Sequence, residues 1–74
     1  MPLYADFYRT YCKKNHMKPD VNFIRFMNCV EKLVKDVFGI NLLDLPDENY
    51  RVMYNNNHSV EDVAEYVVLE NMQF

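Results

Sequence analysis

Asp20-VNFIRFMNCVEKLVKDVF-Gly39 is the stretch whose reading decides the fold. Asp20 is a residue type that caps helix N-termini, because its side chain accepts hydrogen bonds from the free amides of the first turn. Val21, Ile24, Met27, Val30 or Glu31, Val34, Val37 and Phe38 then recur every three or four residues. That spacing is the period of a helix with one face against a core. Phe23, Phe26 and Leu33 widen the apolar stripe beyond one face, as the central helix of a small bundle requires. Gly39 is the single glycine of the chain and stands where a left-handed C-terminal cap is wanted. The spacing predicts a helix over 20–38.

Three further helices are read outward from this one. The first is expected over 3–16, with Pro2 suited to a first turn. Leu3, Tyr4, Phe7, Tyr8, Tyr11 and Cys12 give it a stripe two residues wide, and Asn15 and His16 form its fraying end. A short third helix is expected over 46–54, opened by Asp44 and Pro46. Asp47 and Glu48 then meet the positive end of its dipole. Between it and Gly39, Ile40, Leu42, Leu43 and Leu45 are too apolar for a solvated loop and should be pinned to the core. The triple Asn55-Asn56-Asn57 tolerates a positive φ. The fourth helix is expected over 60–71, with Ser59 as N-cap and Glu61 and Asp62 in its first turn. Its positions Val60, Val63, Ala64, Val67 and Val68 fit the amphipathic template. The fold class is all-α: one domain over 1–74, a compact bundle of three to four short helices.

Composition narrows function by exclusion. With one glycine, one serine and one threonine, there is no phosphate-cradling loop, nucleophile elbow or dinucleotide fingerprint. Asp44, Asp47, Glu48 and His58 are the candidates for acid–base chemistry, but helix capping explains the acids and a loop position explains the histidine. The reading is that the protein is not an enzyme and needs no cofactor. Cys12, His16, Cys29 and His58 match the inventory of a zinc site but lack paired ligand spacing, so no metal is expected. Two cysteines are too few for a disulfide framework. No run approaches a membrane span and no signal peptide is read at the N-terminus, so a cytoplasmic setting with both thiols reduced is expected.

The net charge of −3 conceals a split: residues 1–35 sum to +4 and residues 36–74 to −7. The plain expectation is that oppositely charged helices pack side by side. The functional alternatives are a nucleic-acid binder using Arg9, Lys13, Lys14 and Lys18, or an acidic DNA mimic. The first is weakened by the acidic pI of 5.2 and the second by thin charge. The favoured reading is a protein-interaction module, self-associating as a homodimer or binding another protein. Its surface would include Tyr8, Arg9, Tyr11, Lys13, Lys14 and Lys18, or the Glu65 and Glu70 face. Aromatics at Tyr4, Tyr8, Tyr11, Phe23, Phe26, Tyr66 and Phe74 exceed what so short a chain can bury.

The run 38–68 resembles a pattern of small phage and prophage helical proteins of uncharacterised function, and the resemblance covers roughly residues 21–74, leaving the first helix without a counterpart. The pattern has a helix ending in Phe-Gly, a leucine-bearing loop, an LPD-x-x-Tyr-x-x-x-Tyr segment and Ser-x-Glu-x-Val-Ala opening the last helix. The matching positions are Phe38, Gly39, Leu45, Pro46, Asp47, Tyr50, Tyr54, Ser59, Glu61, Val63 and Ala64. The chain departs from it at residues 55–58, where the pattern carries a glycine before the serine. The resemblance implies a non-enzymatic accessory protein acting in a bacterial or phage-infected cell. It implies no ligand and no active site.

Overall fold

In the computed structural model, residues 3–45 and 49–71 are described, and they are helical without strands. The helices are α1 (Tyr4–Lys14), α2 (Val21–Leu33), α3 (Tyr50–Asn55) and α4 (Val60–Asn71). The all-α bundle expected from the sequence is therefore the fold. α1, α3 and α4 each pack on α2. The core runs along α2 as Phe23, Met27, Val30 and Val34. It is completed by Tyr4, Leu42, Tyr50, Val63, Ala64, Val67 and Val68.

The caps carry much of the local specification. Asp20 Oδ1 accepts from the amides of Asn22 and Phe23 at 3.0 and 3.2 Å, which starts α2. Ser59 Oγ accepts from the Asp62 amide at 3.1 Å and starts α4. Helix α1 has Leu3 at its N-cap and no side-chain cap of its own. Instead Glu31 of α2 reaches across, and its Oε2 accepts from the Tyr4 amide at 3.0 Å. Pro2, Asp47 and Glu48, expected in first turns, lie outside the described residues, as do Pro46 and Phe74.

The helix ends depart from expectation in three places. Asn15 and His16 do not fray. His16 takes φ 56°, its amide bonds the Lys13 carbonyl, and the Met17 amide bonds the Cys12 carbonyl. These are the two bonds of a Schellman end, with histidine where glycine is usual. Asn57, at φ 64°, closes α3 the same way, as the tolerance of asparagine for positive φ led one to expect, with the Asn57 and His58 amides on the Tyr54 and Met53 carbonyls. The third helix starts at Tyr50 rather than 46, because Asn49 has ψ 63°, outside the helical region. Asp44 closes a 3₁₀ turn at Leu42–Asp44 instead of opening a helix.

The long helix also changes pitch. Its last turn, Val34–Phe38, is π-helical before Gly39 closes it at φ 68°. A π turn advances each residue less around the axis than an α turn. Val34 is buried, but Val37 is 63% exposed and Phe38 44% exposed, against their expected place on the core stripe. Val21, in the opening turn, is exposed as well. Leu42 is buried and Ile40, Leu43 and Leu45 pack against the core, so the apolar connection is pinned as its composition implied.

Candidate interaction site

Helix α1 divides its apolar stripe into two rows. Tyr4, Tyr8 and Cys12, spaced by four, turn inward: Tyr4 and Cys12 are buried and Tyr8 is half-buried. Leu3, Phe7 and Tyr11, one position earlier, stay half-exposed among the described residues. Phe7 is 54% and Tyr11 51% exposed, and Leu3 is similar. Phe7 and Tyr11, four residues apart, share one side of the helix, and Leu3 precedes them at the N-cap.

Beside this edge lies a groove of about 610 Å³. Phe7, Tyr11 and Met17 form its exposed rim, and the buried Tyr4, Phe23 and Tyr50 form its floor. The floor is built of edge-on ring contacts. The Tyr4 ring meets Tyr50 edge-on at 5.4 Å, and Phe23 meets Tyr8 and Tyr54 at 5.0 and 5.3 Å. Such tilted contacts suit the ring quadrupoles.

Asp20 ties the groove's polar end together. Besides capping α2, its Oδ2 accepts from Arg51 Nη1 at 2.9 Å, and its amide donates to the Tyr8 hydroxyl at 3.2 Å. One residue thus joins α1, α2 and α3. The Phe23 amide, then the Arg51 guanidinium, hold the Asp20 carboxyl below its ordinary pKa. Partial burial pushes the Tyr8 phenol above its ordinary value, opposed by the hydrogen bond from the Asp20 amide. The Arg51 guanidinium also lies over the rings of Phe23 and Tyr54, at 5.1 and 5.4 Å. Sequence reasoning missed Arg51. Its signal was that it is the single base among residues 36–74.

The expected surface residues fall on two separate sites. Tyr11 and Lys18 line the α1 groove with Tyr8, which is largely turned into the fold. Lys13 and Lys14 are exposed in the last turn of α1, where the helix dipole also favours them. Arg9 pairs with Asp6 at 3.6 Å on its own helix. Glu65 lines a different groove of about 500 Å³ with Leu33, Val37, Phe38, Val68 and Leu69. Glu70 is exposed on α4 outside that groove.

The two charged halves do not neutralise each other in direct pairs. Among the described residues the ion pairs are Arg9–Asp6, Lys32–Asp36 and Arg51–Asp20. The first two are local to one helix. The third takes its acid from the basic half and its base from the acidic half. Glu61, Asp62, Glu65 and Glu70 take part in none of them. The halves do lie side by side, since α4 of the acidic half packs on α2 of the basic half, but through apolar faces and not through ion pairs.

The remaining candidates are dispersed. Cys12 is buried, Cys29 is exposed, and both are free thiols. Among the described residues no three His, Cys, Asp or Glu side chains are grouped so as to hold a metal ion. Asp44 is exposed and accepts from Asn41 Nδ2 at 3.3 Å. His58 lines a recess with Asp62 and Tyr66. Among the described residues no helix is long and apolar enough to cross a membrane. The chain matches no family of known proteins, no curated protein and no solved structure, so the phage-type resemblance gains no support from those comparisons.

Proposed function

We propose that this chain is a small non-enzymatic protein-interaction module that docks a protein partner along the exposed edge of α1. It belongs, on this reading, with the phage or mobile-element accessory proteins its C-terminal half resembles, and it works in the cytoplasm of a bacterial or infected cell. The observation that carries the reading is the half-exposed set Leu3, Phe7 and Tyr11 beside a groove with an aromatic floor. Large aromatics anchored on a rigid helix lose little conformational freedom on binding and are enriched at protein interfaces. Covering the exposed half of two such rings supplies roughly 1 kcal/mol each from apolar area.

A second reading rests on a specific observation too. Lys13, Lys14 and Lys18 are exposed close to Tyr11, a combination able to hold phosphates and stack a base. One pair of experiments separates them. A photo-crosslinking amino acid at Phe7 or Tyr11 should yield a discrete protein adduct in cells, absent when the probe stands at Asn55. No adduct above that control sinks the interaction reading. Retardation of a nucleic acid at about 50 mM salt, lost with Lys14→Glu and Lys18→Glu, would put the second reading in its place.

A further inference from the structure

Among the described residues two apolar patches stand exposed, and they carry opposite charge. The first is the α1 edge, where Phe7, Tyr11 and Lys14 follow one another down one side of the helix and Lys18 lines the same groove. The second is the groove between the π turn and α4, where Val37, Phe38 and Leu69 are exposed and Glu61 and Glu65 form the wall. Glu61, Glu65 and Leu69 are spaced by four, so they too form one row. The two patches share no lining residue.

The rows match when run antiparallel. Along α1 the order is apolar, apolar, basic; along α4 it is acidic, acidic, apolar. From Phe7 to Lys14 is about 10 Å of helix, and from Glu61 to Leu69 about 12 Å. Setting Phe7 against Leu69 therefore brings Lys14 to the Glu61–Glu65 pair. Glu61 stands in the first turn, where the dipole favours it, but Glu65 has no such reason. Like charges one turn apart repel, and a lysine placed between them relieves that.

We infer that the occupant of each patch is the other patch on a second copy, so that the chain self-associates head to tail through α1 on α4. The inference rests on the proposal that the α1 edge is a docking site and names its partner. A symmetric contact of α1 with α1, or of α4 with α4, would press like charges together, which disfavours it. A head-to-tail contact leaves one free patch at each end, so assembly proceeds to a ring or an open chain.

The test is sedimentation velocity at low salt, from micromolar to millimolar concentration. Wild type is expected to form concentration-dependent assemblies that dissolve to monomer as salt rises. Phe7→Asp and Leu69→Asp alter exposed positions, and circular dichroism should show both folded. Each alone is expected to be monomeric, since one patch is blocked. Mixed one to one, they should form a dimer and nothing larger, because one intact pair of patches remains. A wild type that stays monomeric overturns the inference. So does Leu69→Asp assembling as wild type does, which would point to α1 on α1. If wild type is monomeric but a probe at Phe7 still captures a different protein, the inference falls and the docking proposal stands. If the probe captures nothing, both fall.

Discussion

Tyr4 and Phe7 belong to the same apolar stripe in sequence, yet the fold gives them opposite roles, and their alanine variants should show it. Tyr4 is 9% exposed, with its ring on Tyr50 and Phe23 at 5.4 and 6.4 Å. Removing a buried aromatic side chain leaves a cavity as well as losing apolar burial, so Tyr4→Ala should destabilise by about 3–5 kcal/mol. Phe7 is covered over only about half its surface. Full burial of a phenylalanine contributes about 1.5–3 kcal/mol, so Phe7→Ala should destabilise by about 1 kcal/mol. A domain of this size has roughly 4–11 kcal/mol of stability in total. Tyr4→Ala therefore removes much of it and Phe7→Ala little.

The assay is urea unfolding followed by circular dichroism at dilute concentration, where self-association is negligible. Tyr4→Leu, which refills part of the space but loses the edge-on ring contacts, should fall between, at about 1–2 kcal/mol. Equal losses at positions 4 and 7 would refute the assignment, since that requires α1 to be rolled so that both rows face the core. A loss at Phe7 that grows with protein concentration is a different result, and it fits the row being buried by a partner.

Further outcomes follow from the caps and from Asp20. His16→Gly relieves a left-handed histidine and should stabilise by about 0.5–1 kcal/mol, net of glycine's extra freedom in the unfolded chain. Thermal unfolding should show a rise of a few degrees, and an unchanged or lower Tm contradicts the Schellman end. Ser59→Ala should cost about 1 kcal/mol through loss of the α4 cap, read as a lower urea midpoint at unchanged m. Because the folded carboxyl of Asp20 is held below its ordinary pKa of 3.8, its contribution is present above that pH and is lost as pH falls through the depressed folded value. Asp20→Asn should therefore be less stable than wild type at neutral pH, with the gap closing in acid. A constant gap across that range would show that the charge on Asp20 is not what matters.

The sequence made the fold legible wherever a residue acts on its own neighbourhood. Asp20 and Ser59 cap the helices they precede, Gly39 takes its left-handed turn, and the valines of α4 face inward, because each depends on local geometry. What it did not disclose depends on partners distant along the chain or on a change of helix period. A strict 3.6 period puts Val37 and Phe38 on the core stripe, whereas both stand exposed in the π turn that ends the long helix. Periodicity drew α1's stripe two residues wide but could not say that only the Tyr4–Tyr8–Cys12 row would meet α2. Asp20 was readable as a cap, whereas its bonds to Arg51 and Tyr8 need α3 and α1 brought to it. Of the candidate site, Tyr11 and Lys18 were found together, and the groove holding Glu65 was not foreseen because the exposed Val37 and Phe38 create it.

The charge split matters most in this light. Had α1 packed on α4, their opposite charges would have been absorbed within the molecule, and the apolar rows beside them would have been covered at the same time. Instead both helices turn their apolar inner faces to α2. The charges are left facing outward, and each accompanies an exposed apolar row. At a net charge of −3 the chain repels its own copies only weakly as a whole, while its two patches differ strongly in sign. An approaching copy is therefore steered by the separation of charge more than by its sum. That separation favours a basic edge meeting an acidic groove and opposes either patch meeting itself. Any other protein that docks on α1 is expected to present an acidic, apolar surface, resembling the chain's own α4 side.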